Sequence, residues 1–163
     1  MRTVSKGLFM FAGLLASPLV PMAQISAPTN QTEEDPRVVR LKEFLYENDC
    51  PIKRLAADFI EAADLQDLDW RLLPSIAVVE SGGGKRYKNN NVFGWGNCDL
   101  RFPSVRAGIH FVAERLANSR LYRDKNLDQL LRTYNPEHPN YPQKVKSVMS
   151  LIGSVDPAAG TVN

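Results

Sequence analysis

Apolar residues recur along this chain at the spacing of one helix face, and almost nowhere at the alternating spacing of a half-buried strand. Val38, Leu41, Phe44 and Leu45 make one stripe. Ile52, Leu55, Ala56, Phe59, Ile60 and Ala63 make a second, separated from the first by Cys50-Pro51. Asp69 is placed to cap a third helix carrying Leu72, Leu73, Ile76 and Ala77. Ser104 is placed to cap a fourth, with Val105, Ile109, Val112, Ala113 and Leu116. A short fifth has Leu127, Leu130 and Leu131, and a sixth has Tyr141, Val145, Val148, Met149 and Ile152. The pattern predicts an all-α fold, a helical bundle. It leaves room for α+β character only through a small hairpin in residues 82–102, where no stripe is present.

That segment has its own chemistry. Three glycines (Gly82, Gly83, Gly84) are followed by three asparagines (Asn89, Asn90, Asn91) and then by Val92-Phe93-Gly94-Trp95-Gly96-Asn97-Cys98. Gly and Asn tolerate positive φ, so the segment is expected to be a folded loop after the third helix.

The ends of the chain read differently from its middle. Arg2 and Lys6 precede an apolar run from Gly7 to about Met22, with small residues at Ala23, Ser26 and Ala27. This is the layout of a secretory signal peptide over residues 1–27. As a membrane span the run is short and interrupted by Ser17 and Pro18. A polar leader at 28–35 is expected to be disordered, the folded domain to occupy 36–153, and the tail at 154–163 to be flexible. The reading implies export to a periplasmic or extracellular location, with no stable membrane anchor once the signal is removed.

Charge follows the same division. The formal net charge is +2, and Arg2 and Lys6 carry all of it, so the remaining chain is balanced. A balanced chain does not bind nucleic acid by bulk charge, and no nucleic-acid partner is expected. The chain has two cysteines, Cys50 and Cys98. In an oxidising compartment a pair is expected to form a disulfide, and with only His110 and His138 available no zinc-ligand spacing is present. Neither a metal nor a cofactor is expected, and the protein is expected to be a monomer.

Glu80 is the most informative residue. Continuing the third stripe from Leu73, Ile76 and Ala77 puts position 80 where a core side chain belongs. A carboxyl group at an apolar helix end is poorly solvated, so its protonated form is favoured. That is what a general acid for glycosidic cleavage requires. A helix-end glutamate pointing to solvent would fit the spacing equally well. In the loop that follows, aromatic faces suit sugar rings and amides suit hydroxyl and N-acetyl groups. Trp95 is a candidate for such binding, whereas Phe93 reads better as core. Tyr134 continues the stripe of the fifth helix and Tyr141 opens the sixth; each can be core or can turn its hydroxyl into a cleft.

Ile76-Ala77-Val78-Val79-Glu80-Ser81-Gly82-Gly83-Gly84-Lys85 resembles the Glu-Ser-Gly stretch of lysozyme-like glycan-cleaving enzymes. Asn90-Asn91-Val92-Phe93-Gly94-Trp95 resembles the Asn-Asn-hydrophobic-Phe-Gly stretch of bacterial endo-β-N-acetylglucosaminidase domains. Tyr134-Asn135-Pro136 is similar to the Tyr-Asn motif of lytic transglycosylases and goose-type lysozymes. The three stand in the family's order, and the resemblance spans about Pro36 to Ile152. It implies a lysozyme-like bundle with an active-site cleft, acting on peptidoglycan glycan strands. By resemblance Glu80 is the catalytic acid, Tyr134 lines the cleft beside it, and Ser81, Asn91, Phe93, Trp95 and Tyr141 are the substrate-binding candidates.

Cleavage by water commonly uses two carboxylates. Asp99, in the same loop, is the candidate for the second, although it also reads as a solvated loop aspartate. Without a second carboxylate, the substrate's acetamido group or the muramic 6-hydroxyl can attack instead, the latter giving an anhydro product. The expected activity is that of an endo-β-N-acetylglucosaminidase or muramidase. The alternatives are a lytic transglycosylase and a non-catalytic glycan-binding module of the same fold.

Overall fold

The computed structural model describes residues 34–153. The expected signal peptide, the leader up to residue 33 and the tail from 154 lie outside the described residues. Six α-helices and one 3-10 helix are formed, with no β-strand among the described residues, so the fold is all-α. No described helix is long and apolar enough to cross a membrane.

The first helix, α1 (Pro36–Glu47), starts with proline at its first position, where a missing N–H costs nothing. Asp35 caps it, accepting a hydrogen bond from the Arg37 amide at 2.8 Å. The second stripe was expected to be one helix and is two. Pro51–Leu55 winds as a 3-10 helix, and α2 (Ala56–Asp64) follows. The Ile52 amide donates out of the segment to the Gly83 carbonyl at 3.3 Å, so the first turn is bent to meet the glycine loop. Arg37 ties the start of α1 to the end of α2 by two parallel bonds to Asp64, at 2.7 and 2.8 Å.

The third helix, α3 (Leu72–Ser81), begins later than expected. Asp69 caps the turn before it, accepting from the Arg71 amide at 2.9 Å. Leu72, Leu73, Pro74, Ser75, Ile76 and Ala77 are all buried, so α3 is enclosed on nearly every side. It packs against α2, α6 and α4 (Val105–Asn118). Ser104 caps α4 as expected, accepting from the Ala107 amide at 3.1 Å. A reciprocal cap of Asn126 and Gln129 opens α5 (Leu127–Tyr134). The last helix, α6 (Tyr141–Ile152), is closed from outside: Arg40 donates to the carbonyls of Ile152 at 2.7 Å and Leu151 at 3.0 Å.

Residues 82–102 form no hairpin of paired strands. One isolated antiparallel bridge, Lys88 to Asn91, is all the β structure there is among the described residues. The expected disulfide is also corrected, because both cysteines are free thiols in separate settings. Cys50 is buried under the glycine loop with its thiol directed at the Asn48 carbonyl, 3.6 Å away. Cys98 lies beside Gly94.

The contact between Cys50 and the loop is close enough to test. Gly83 has φ +67°, and a Cβ there would stand 2.3 Å from Cys50 Sγ and 2.6 Å from its Cβ. Gly83→Ala is therefore expected to cost about 3 kcal/mol, the left-handed backbone and the overpacking each contributing. Urea unfolding measures the loss, and Cys50→Ala in the same chain should recover part of it, since the two sites are coupled.

Candidate active site

Glu80 stands in the last turn of α3, where the enclosed helix emerges. Its carboxyl is half-buried, and that burial raises its pKa above the ordinary carboxylate value. The Tyr141 hydroxyl, the charge of His138 and the Asn135 amide oppose the rise without cancelling it. Tyr141 Oη is itself enclosed and makes no well-aligned hydrogen bond to any described residue. Gly94 presses its backbone against the carboxyl: with φ +65°, a Cβ there would lie 3.0 Å from Glu80 Oε2. Glycine at this position lets the loop approach the acid.

A cleft of about 310 Å³ opens over Glu80. It is lined by Gly94 and Asn97 from the loop and by Tyr134, Asn135, Pro136, Glu137 and His138 from the end of α5 and the turn after it. Its walls offer amides, an aromatic ring, an imidazole and two carboxyl groups. Tyr134 stacks flat on Tyr141, with ring centroids 5.7 Å apart and an interplanar angle of 5°. Its hydroxyl donates to the Phe93 carbonyl at 2.6 Å, so that proton is engaged in holding the loop. Burial raises the Tyr134 pKa well above its ordinary value, with the Glu80 charge adding to it.

Several residues expected to bind substrate do other work. Ser81 is buried; its hydroxyl donates to the Ala77 carbonyl at 2.8 Å and accepts from the Gly84 amide at 3.0 Å. Asn91 is buried, and its amide brackets Trp95. Its Nδ2 donates to the Trp95 carbonyl at 2.8 Å and the Leu100 carbonyl at 3.2 Å, and its Oδ1 accepts from the Trp95 amide at 3.0 Å. Asn89 and Asn90 likewise spend their amides on backbone carbonyls of the same loop. Phe93 is fully enclosed in the core. Tyr141 is buried, with only its hydroxyl directed toward Glu80.

Trp95 is half-buried in an aromatic cluster. It lies edge-on to Phe111 and Tyr134, at 6.1 and 5.7 Å, and tilted against Tyr122 at 5.9 Å. It does not line the cleft over Glu80. Asp99 is not the second carboxylate of this cleft either. Its side chain is 82% exposed and pairs with Lys88 at 3.6 Å. The amides that do line the cleft, Asn97 and Asn135, and the acid Glu137 are residues that helical periodicity did not single out. Asn135 belongs to the Tyr134-Asn135-Pro136 motif itself, and Glu137 follows that motif directly in a turn bounded by Pro136 and Pro139.

One cluster elsewhere has cation-binding chemistry. Asp58, Glu61 and His110 bring ligand atoms within 4.8 Å of one another. Asp58 is already paired with Arg106 Nε at 2.8 Å, and none of the three residues lines the cleft. In comparisons with family models and with curated proteins, the chain matches none.

Two measurements follow from the geometry. Tyr134→Phe deletes the bond to the Phe93 carbonyl and leaves that acceptor unpaired, so it should lower stability by about 1–3 kcal/mol in urea unfolding. Glu80→Gln should raise the melting temperature at pH 8. A carboxyl whose folded pKa lies above its unfolded value destabilises the fold as pH rises from about 4.5 through the raised value. The advantage of the glutamine should therefore vanish below that window; thermal unfolding across pH shows whether it does.

Proposed function

We propose that the protein is an exported, lysozyme-like enzyme that cleaves the glycan strands of peptidoglycan, with Glu80 as its general acid. The observation that carries this reading is a half-buried carboxyl group, its pKa raised by burial at the end of an enclosed helix, that opens on a cleft with amide and aromatic walls. A protonated carboxyl in such a place can deliver its proton to a glycosidic oxygen as the bond to the anomeric carbon breaks. Asn97 and Asn135 can bond sugar hydroxyl and acetamido groups, and the Tyr134 ring can support a sugar face. The resemblance of the Glu-Ser-Gly, Asn-Asn-Val-Phe-Gly and Tyr-Asn segments to glycan-cleaving enzymes supports the same reading. So does their placement: Glu80, Gly94 and Tyr134, drawn from the three segments, stand around one cleft.

Tyr134 serves as a positioning residue, because its hydroxyl proton is held by the Phe93 carbonyl. Tyr141 keeps a free hydroxyl against the Glu80 carboxyl and can accept or donate there as the acid changes charge. The substrate is an uncharged sugar backbone, and the balanced charge of the chain beyond Lys6 suits it. Export follows from the N-terminal layout of Arg2, Lys6 and the apolar run, and it brings the enzyme to its substrate.

Incubation of the purified protein with peptidoglycan sacculi tests the reading. Soluble muropeptides should be released, and Glu80→Gln, folded and at least as stable, should release none. The rate should fall as pH rises through the raised pKa of Glu80, because only the protonated acid works. Binding to sacculi without release, or turnover retained in folded Glu80→Gln, would sink the proposal.

A further inference from the structure

We propose that Glu137 is the second carboxylate of the cleft, and that it takes a proton from the water that attacks the anomeric carbon, making the enzyme a hydrolase. This rests on the reading of Glu80 as the acid. Among the residues lining the cleft, Glu80 and Glu137 are the two that carry carboxyl groups. They come from different elements, Glu80 from the last turn of α3 and Glu137 from the turn between α5 and α6, so they can face one sugar ring from two directions. The cleft they line holds about 310 Å³, space for a sugar ring and a water molecule, and hydrolysis with a water between acid and base uses carboxyl groups about 6.5–9.5 Å apart.

The two carboxyl groups also stand in different surroundings. Glu80 is half-buried, whereas Glu137 is exposed to solvent. One enclosed carboxyl beside one solvated carboxyl is the arrangement that separates an acid from a base in glycosidic cleavage.

The turn that carries Glu137 is held firmly for a connecting segment. Pro136 and Pro139 fix two of its backbone φ angles. The Asn135 amide donates to the Leu131 carbonyl at 3.2 Å, and the Tyr141 amide donates to the His138 carbonyl at 2.9 Å. His138 Nδ1 meets Asn135 Oδ1 at 2.9 Å. The flat stack of Tyr134 on Tyr141 closes the base of the turn. These contacts fix the backbone from which the exposed Glu137 side chain projects, which limits the reorganisation needed to bring it to a water molecule.

The step balances with water as the only co-reactant. The water oxygen forms a bond to the anomeric carbon while the bond from that carbon to the leaving O4 breaks. The Glu80 proton goes to O4, and a water proton goes to Glu137. Two free ends result, one a reducing sugar. An attack by the muramic 6-hydroxyl would instead give an anhydro end.

The test uses the full-length protein on sacculi, with the products read by mass spectrometry. Wild type should yield reducing ends. Glu137→Gln should keep its melting temperature, since the side chain is exposed, and lose at least about 100-fold in rate, the usual scale of general-base catalysis. Glu137→Asp should retain more activity than Glu137→Gln. Azide, which attacks without needing to lose a proton, should restore turnover to Glu137→Gln as a glycosyl azide and should not restore Glu80→Gln. Anhydro ends from wild type, or a Glu137→Gln rate within about 3-fold of wild type, would overturn the role of Glu137 while leaving Glu80 as the acid. No release by wild type would overturn both.

Discussion

An α-helix buried on nearly all sides can meet solvent only at its ends, and α3 is such a helix. Its first two turns are sealed by α2, α4 and α6, so a carboxyl group in its body would have no partner and no water. The chain places its one carboxylate of this helix in the last turn, where the cover stops. Half-burial there raises its pKa and leaves the carboxyl open to the cleft. The position of the cleft follows from the same constraint. It has to lie where the helix ends, and the loop and the α5–α6 turn complete it.

The loop depends on a second, smaller device. A segment of about twenty residues without helix or sheet must find partners for its own amides and carbonyls. Three consecutive asparagines supply them. Each side chain reaches back to a carbonyl of the same loop, and Asn91 holds Trp95 from both sides. Thus braced, the loop can put Gly94 against Glu80 without a side chain in the way. The Tyr134 hydroxyl then ties the adjoining Phe93 carbonyl to α5, so the loop and the opposite wall of the cleft are bonded to each other.

The helices were legible because burial imposes a period on sequence. The stripes of α1, α4 and α6 and the Ser104 cap all reappear in the structure. The half-buried carboxyl of Glu80 was legible for the same reason, as a polar residue on an apolar stripe. What periodicity could not give was the use of amides and hydroxyls. Ser81 and Asn91 carry the right chemistry for binding sugars, yet the local backbone consumes it. A polar side chain beside unpaired backbone groups satisfies them before any ligand arrives. Nor does periodicity reach a turn. Glu137 lies between two prolines, off every stripe, and only the three-dimensional path of the chain brings it to Glu80. Asp99, which shares a loop with the cleft in sequence, is drawn to Lys88 in space.

A half-buried carboxyl works against the helix that carries it whenever it is ionised, because the charged form is poorly solvated there. Glutamine, similar in size and without charge, would fill the same place with no such cost. Position 80 therefore carries a residue that stability alone does not favour. Around it stand a glycine that yields space, a tyrosine hydroxyl with no aligned partner, and a cleft open to solvent. Several unfavourable features gathered around one cleft fit a site kept for its chemistry. The same reasoning sets this cluster apart from Asp58, Glu61 and His110. There the buried acid is paired with Arg106, as a structural ion pair requires.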